Sequence, residues 1–242
     1  MNIRRINRGI ALGCVLAVGT VSYVVYDHKQ FSKGQDDIKS TIEQYLHDIS
    51  TVQVIKDQQK SLDAYKNVVD KYWISGNDWF NEDANVFDKS GLMDGWDTVI
   101  KDWNPTGYFE KCEIKTGDIS ISKYGNDGAY AVVAYDVYSE FYGSPLDFSG
   151  GYVTTVNSDT YDNNGDRIIY DVSDKYKNTK EYFSTEFYLE KVDGSWRIVG
   201  AAGWWYNNNN LQKLTSDESK AVDDKTEDSA TDSDKKAGVE NE

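Results

Sequence analysis

Residues 182–200 read YFSTEFYLEKVDGSWRIVG, and this stretch predicts a tight β-hairpin. Apolar and polar side chains alternate before and after Asp193-Gly194, as they do in strands with one face buried. Asp-Gly is a favoured two-residue hairpin turn, because both positions tolerate positive φ. We therefore expect two long antiparallel strands, near 181–192 and 195–206.

The same period of two extends back towards Gly107. Glycine- and asparagine-rich breaks such as Gly125–Gly128 and Asn163–Asp166 divide the segment, and such residues favour turns. The predicted strands, in addition to the hairpin, are 112–123, 128–142, 148–157 and 166–172.

Ahead of the strands the apolar residues recur at helical spacing. Helices are predicted over 36–50, 57–72 and 91–103, and the second and third end at turn-forming Gly-Asn and Asn-Pro pairs. Helices followed by strands indicate an α+β fold, with N-terminal helices against one face of a curved antiparallel sheet.

The apolar run Gly9–Tyr26 carries no charge and follows Arg4, Arg5 and Arg8. Its length suits a bilayer core, and basic flanks stay on the cytoplasmic side. We expect one membrane span with everything after Asp27 outside the cytoplasm. A cleaved signal peptide ending near Ala17-Val18-Gly19 and a lipoprotein at Cys14 are weaker alternatives.

Composition divides the chain into three parts: a basic stub and anchor over 1–30, one domain over 31–214, and an acidic tail over 215–242. The tail lacks aromatic residues and is expected to be disordered. The net charge of −15 argues against nucleic-acid binding. The domain contains one cysteine, Cys112, so no intrachain disulfide is expected, which favours a bacterial cell surface.

Three stretches resemble the nuclear-transport-factor-2-like superfamily, which includes SnoaL-like and ketosteroid-isomerase-like domains. They are GWDTVIKDW at 95–103, the strand-and-turn segment 119–133, and the hairpin segment 183–199. The resemblance covers 36–206 and implies a cone whose helices close one sheet face and can enclose a pocket. Members of the superfamily are often dimers; some are isomerases, cyclases or dehydratases, and many only bind.

An anchored cone is also similar to the bitopic assembly subunits of bacterial conjugation and type IV secretion machines. The anchor, the tail and a longer middle segment over 144–180 depart from the soluble members. These departures favour an envelope protein over a soluble enzyme.

Catalytic groups are scarce. The two histidines are His28, beside the predicted span, and His47, which helical spacing places opposite the apolar stripe. No Ser-His-Asp, Cys-His or zinc arrangement can be built from them. We expect no cofactor and no metal.

Two acidic features are candidate sites. Asp136 lies in a strand beside Tyr135, but alternation places it on the less apolar face, so a surface or interface role is preferred over that of a pocket base. The run Asp162–Asp166 does not match the spacing of an EF-hand loop and is interpreted as a turn.

Four tyrosines share the less apolar strand faces: Tyr130, Tyr138, Tyr182 and Tyr188. Tyrosine suits interfaces because one end of it is apolar and the other polar. We interpret the four as a candidate interface for a dimer or another protein, against the alternative of an ordinary exposed sheet face.

The inward set of the hairpin is predicted to continue from Phe183, Phe187 and Ile198 to Gly200, Ala202 and Trp204. Most of this set is core. The small residues leave room for a ligand, so the candidate cavity residues are Trp103, Tyr135, Trp196 and Trp204.

The preferred function is that of a non-catalytic, membrane-anchored domain outside the cytoplasm, acting through protein contacts as a homodimer or an assembly subunit. The alternatives are a small-ligand-binding module and a SnoaL-like isomerase or hydrolase. A sealed cone would favour the first, and an open cavity with a convergent Asp and Tyr the last.

Overall fold

The computed structural model describes residues 8–75, 86–94, 105–124, 128–149, 154–155, 171–206 and 211–214. Side chains are described for these residues except 8–30, 93–94, 154–155, 179–181, 203–206 and 211. The predicted turn at Asp162–Asp166, the acidic tail and most of the third helix lie outside the described residues.

Three helices are described: α1 (Arg8–Gln53), α2 (Gln58–Tyr72) and α3 (Lys89–Asp94). The helices predicted over 36–50 and 57–72 are confirmed. The Asp57 carboxylate caps α2 by accepting a hydrogen bond from the Lys60 amide at 2.9 Å. The helix predicted over 91–103 overlaps α3 as far as Asp94.

Within the described part of the chain, no helix is both long enough and apolar enough to cross a bilayer. The side chains of the run Gly9–Tyr26 lie outside the described residues, so the predicted span stays a prediction.

Seven strands follow. They are β1 (Thr106–Tyr124), β2 (Gly128–Ser144), β3 (Leu146–Asp147), β4 (Thr154–Thr155), β5 (Lys175–Val192), β6 (Ser195–Tyr206) and β7 (Leu211–Lys213). The main antiparallel sheet has the order β1-β2-β5-β6, with β7 pairing with the start of β5, while β3 and β4 form a small separate pair. Bulges interrupt all three long ladders and bend the strands, so this α+β architecture fits a cone.

The predicted hairpin is confirmed. Val192 pairs with Ser195 around the turn, where Asp193 and Gly194 have φ of 50° and 82°. Two positive φ values in succession are what the Asp-Gly pair allows at low cost.

Two of the predicted strands differ from the structure. Phe148 and Ser149 lie outside any strand, because the Asp147 carboxylate accepts hydrogen bonds from the Ser149 amide and hydroxyl and turns the chain there. Of the strand predicted over 166–172, the described residues 171 and 172 are not in a strand. β7 and the early start of β5 were not predicted.

The core lies between the helices and one face of the main sheet. The helical stripe predicted on α1 is confirmed, since its members are all at most 2% exposed: Ile38, Ile42, Tyr45, Leu46 and Ile49. Val133 and Tyr135 of β2 and Phe183 and Phe187 of β5 meet them from the sheet. We call this buried side of the sheet the inner face and the opposite side the outer face.

A bulge in β6 reverses part of the predicted alternation. Leu189 pairs with Ile198, but Tyr188 pairs with Gly200, so one extra residue, Val199, enters β6. The prediction that Gly200, Ala202 and Trp204 continue the inward set is therefore wrong in register. Ala201 joins the core instead, and the Trp204 backbone pairs with Ser184, an outer-face position.

Candidate functional site

The outer face has a tyrosine pair near its β5–β6 turn. Tyr130 and Tyr188 face each other across β2 and β5, with ring centroids 5.4 Å apart in an edge-to-face arrangement. Partial burial, followed by a hydrogen bond with Glu186, raises the pKa of Tyr130 to about 12. The Tyr130 phenol therefore remains neutral at physiological pH, and the two rings present a half-buried aromatic surface.

A second tyrosine pair lies towards the other end of the same face. Tyr182 pairs with Asp136, and Tyr138 follows two residues further along β2. The Lys115 ammonium lies over the Tyr138 ring, 4.7 Å from its centroid. The four tyrosines thus form two groups, and on β5 six residues, or about 20 Å of strand, separate Tyr182 from Tyr188.

Two register rows separate the two tyrosine groups on the outer face. One row holds Ser120, Val132, Glu186 and Ala202, and the next holds Ala134, Ser184 and the backbone position of Trp204. The hydrogen bond between Tyr130 and Glu186 joins this carboxylate to the first tyrosine group. We call the part of the outer face that contains the two tyrosine groups and these rows the tyrosine face.

Asp136 lies in this outer face, in the register row of Lys115 and Tyr182. Tyr135 and Val137, its neighbours in β2, point into the core. Asp136 is thus on the opposite side of the sheet from the cone interior, which matches the surface or interface position preferred from the sequence.

A buried charge network closes the far end of the outer face. The Lys175 ammonium lies 2.6 Å from a Glu110 carboxylate oxygen and 3.0 Å from one of Glu140. Burial lowers the pKa of Lys175, but the hydrogen bonds with both carboxylates outweigh it and the pKa is raised. Lys111 and Lys177 lie 3.8 and 3.9 Å from the second Glu140 oxygen. This network of three lysines and two glutamates joins β1, β2 and β5.

Aromatic rings pack against one another in the described part of the interior. Tyr135 is 2% exposed and stacks on Phe183 at 5.3 Å, while Tyr65 stacks on Phe148 at 4.4 Å. Trp196, at 7% exposure, packs against Gly34 of α1. Of the four candidate cavity residues, Tyr135 and Trp196 are therefore packed core. Trp103 and the side chain of Trp204 lie outside the described residues.

Polar atoms nonetheless meet inside the aromatic core. The Tyr45 hydroxyl faces the Trp73 indole and Tyr65, yet neither Tyr45 Oη nor Trp73 Nε1 makes a hydrogen bond of normal geometry. Burial raises the pKa of Tyr45 to about 12, and burial also raises the pKa of Tyr65 well above its ordinary value. Both phenols remain protonated, so they can donate hydrogen bonds but cannot act as bases.

Asp147 is the interior carboxyl that sequence reasoning missed. Its Oδ1 accepts hydrogen bonds from the Ser149 hydroxyl at 2.6 Å and the Ser149 amide at 2.9 Å. Burial raises its pKa, and the hydrogen bonds from Ser149 offset this only in part. Nearby, the Tyr135 hydroxyl donates to the Ser149 carbonyl at 2.9 Å. The Asp-x-Ser spacing was the available signal, but it occurs in many ordinary turns.

Gln53 connects α1 to the same segment. Its amide nitrogen donates to the Leu146 carbonyl at 2.8 Å, and its amide oxygen accepts from the Phe148 amide at 3.0 Å. The same nitrogen lies 3.3 Å from Asp147 Oδ1. The side chain therefore satisfies backbone groups as a neighbouring strand would.

Groups for metal or nucleophilic chemistry do not assemble in the described part of the chain. His47 is exposed on α1, as expected, and Cys112 is a half-buried residue of β1. No cluster of three or more His, Cys, Asp or Glu side chains able to hold a metal occurs among the described residues. His28 and Cys14 have side chains outside that part.

No protein-family model matches this chain, and neither does any curated protein. Among solved structures, a hexachlorocyclohexane dehydrochlorinase (LinA) type 2 is similar over 74% of this chain and 92% of that chain, with a TM-score of 0.33 and 8% sequence identity. A likeness of this size leaves the function to be argued from the chain's own residues.

Proposed function

We propose that this chain is a membrane-anchored, extracytoplasmic and non-catalytic domain that acts through protein contact. The tyrosine face is the contact surface, and a second copy of the chain is its partner. A dimer of this kind would serve as an assembly subunit in a cell-envelope complex such as a conjugation or secretion machine.

The arrangement of the four tyrosines on the tyrosine face carries this proposal. Homodimers are mostly twofold symmetric, so the same patch must fit itself. A patch with a tyrosine group at each end allows a twofold contact, in which the Tyr130–Tyr188 group of one copy meets the Tyr138–Tyr182 group of the other. Tyrosine also gives a large contact area at low entropic cost.

The packed aromatic core supports a non-catalytic role. Tyr45, Tyr65 and Tyr135 are at most 2% exposed, so their rings pack in the described part of the interior. Asp136, the candidate pocket base, is on the other side of the sheet. The anchor rests on the apolar run Gly9–Tyr26 and its basic flank.

The test is the mass of the full-length protein in detergent, measured by light scattering. Tyr138→Glu combined with Tyr188→Glu places a charge in each tyrosine group, which should convert a dimer to a monomer without unfolding the domain. The matched control adds two carboxylates to the exposed surface of α1, with Gln44→Glu and Thr51→Glu, and should remain dimeric. An unchanged mass for the tyrosine variant would refute the interface.

A second candidate function rests on the interior polar atoms. Tyr45 Oη and Trp73 Nε1 are buried without a hydrogen bond of normal geometry, and Asp147 has a raised pKa close by. Unsatisfied buried polar atoms call for an explanation, and a small polar ligand bound among them would be one. This arrangement would suit a ligand-binding module or a SnoaL-like isomerase or hydrolase.

The two candidates differ in their response to a small phenol. Millimolar phenol should raise the thermal unfolding midpoint if the interior opens to admit a ligand, and Tyr45→Phe should change the size of that shift. No shift in either protein would favour the contact function.

A further inference from the structure

The direction of α1 relative to the sheet is set by two contacts. The Tyr45 ring meets Phe187 edge-to-face with centroids 6.0 Å apart, and Gly34 lies against the Trp196 indole. From Tyr45 to Gly34 is eleven residues, or about 16 Å of helix, and from Phe187 to the Trp196 partner Lys191 is about 13 Å of strand. Towards its N-terminus, α1 therefore runs alongside β5 and β6 to their connecting turn.

The helix continues beyond this contact without a break. α1 is one helix from Arg8 to Gln53, so the run Gly9–Tyr26 and the core-packing stripe belong to the same continuous helix. Tyr26 precedes Gly34 by about 12 Å of helix. Along the axis of α1, the turn at Asp193-Gly194 lies between the level of Gly34 and the level of Tyr26, because the hairpin extends past Trp196 in the direction of Tyr26.

Exposed apolar side chains collect at this end of the sheet. The described part of the chain has three large exposed hydrophobic residues, and two of them are here: Tyr124 at 48% exposure and Val192 at 37%. One register row across the four strands holds Tyr124, Gly128, Glu190 and Arg197. It is the last row of the β1–β2 pair, and the β5–β6 hairpin continues for two more rows, to Val192 and Ser195. The third, Val172, is at the opposite end, where its side chain lies beside Gly143.

Lysines accompany the two apolar side chains. Lys123 precedes Tyr124, and Lys191 precedes Val192. Tyrosine and lysine are the residues that anchor proteins at the level of lipid headgroups, the tyrosine through its amphipathic ring and the lysine by extending its charge outward. Glu190 and Asp193 offset two of the three cations at this end, which are Lys123, Lys191 and Arg197, so the net charge is small and the contact does not depend on anionic lipid.

We propose that this end of the sheet, formed by Tyr124, Lys191 and Val192, rests in the headgroup layer of the bilayer that holds α1. The inference depends on the anchor in the proposed function. The headgroup layer is about 5–8 Å thick on each side of the hydrocarbon, and the distance along α1 brings the β5–β6 turn to that depth. The domain would then stand upright on the membrane, with its sheet edge and α1 as two points of support.

The experiment measures depth in the full-length chain. Val192→Cys, in a background with Cys14→Ala and Cys112→Ala, is labelled with a nitrobenzoxadiazole dye and reconstituted in phosphatidylcholine vesicles containing a headgroup spin-labelled lipid. Val172→Cys is the matched control, because it is also an exposed valine. Quenching at position 192 should be at least twofold stronger than at position 172.

A seven-alanine insertion after Gln30 provides the second measurement. Two added turns lift the domain by about 10 Å and nearly preserve the helical face, so quenching at position 192 should fall to the level at position 172. Equal quenching at the two positions in protein that floats with the vesicles would overturn the inference and leave the anchor intact. Protein that does not float with the vesicles would overturn the anchor itself and this inference with it.

Discussion

At the scale of single residues, Gln53 joins the end of α1 to the segment that follows β2. Replacing it with methionine keeps the length of the side chain but leaves the Leu146 carbonyl and the Phe148 amide without this partner. The expected cost is about 1–3 kcal/mol for each buried group left unsatisfied. Urea unfolding of Gln53→Met measures it, and Gln44→Met, on the exposed side of α1, should change stability by less than about 0.5 kcal/mol.

Asp147 predicts a dependence of stability on pH. Its pKa is raised in the folded state from an ordinary value of 3.8, so the folded protein binds this proton more tightly than the unfolded chain. The stabilisation that this more tightly bound proton provides is fully present below pH 3.8 and is lost as the pH rises through the folded-state pKa. Asp147→Asn should therefore gain stability relative to the wild type as the pH increases above about 4. A difference in unfolding free energy between the two proteins that stays the same at every pH would contradict this.

At the scale of elements, the Lys175 network holds β1, β2 and β5 together at one end of the sheet. Glu140→Gln removes the negative charge that pairs with the Lys175 ammonium, whose side chain is 4% exposed. Breaking a buried ion pair costs about 3–5 kcal/mol. Lys111→Gln changes the same network at a contact of 3.8 Å with a 46% exposed side chain, and should cost less than about 1 kcal/mol. Chemical denaturation of the two variants gives the comparison, and equal losses would argue against a buried network.

At the scale of the whole molecule, the boundary predicted at residue 214 can be tested by truncation. β7 pairs with β5 over Leu211–Lys213, and the Leu214 amide donates to the Lys175 carbonyl at 2.9 Å. Truncation after Leu214 should leave the thermal unfolding midpoint unchanged. Truncation after Asn210 removes β7 and should lower the midpoint by several degrees. A large loss from the first truncation would show that the domain extends into the tail.

Local patterns were enough to predict the helices, the hairpin and the outer position of Asp136. Helical spacing on α1 and alternation along β2 depend on residues within a few positions of one another. The turn at Asp193-Gly194 depends on these two adjacent residues alone. The membership of the four tyrosines in one face followed from the same alternation. Their division into two groups did not, because it depends on the pairing of β2 with β5.

The amino-acid sequence alone therefore determined the element types, the hairpin turn and the buried stripe, since each is set by short-range periodicity and backbone preference. Only the tertiary structure decided the β6 bulge that moves Trp204 to an outer-face register, and the pairing of β7. It also decided the contact of Gln53 with residues 93 to 95 positions away and the burial of Lys175. These features arise where distant segments meet, and no local pattern encodes which polar group will find its partner there.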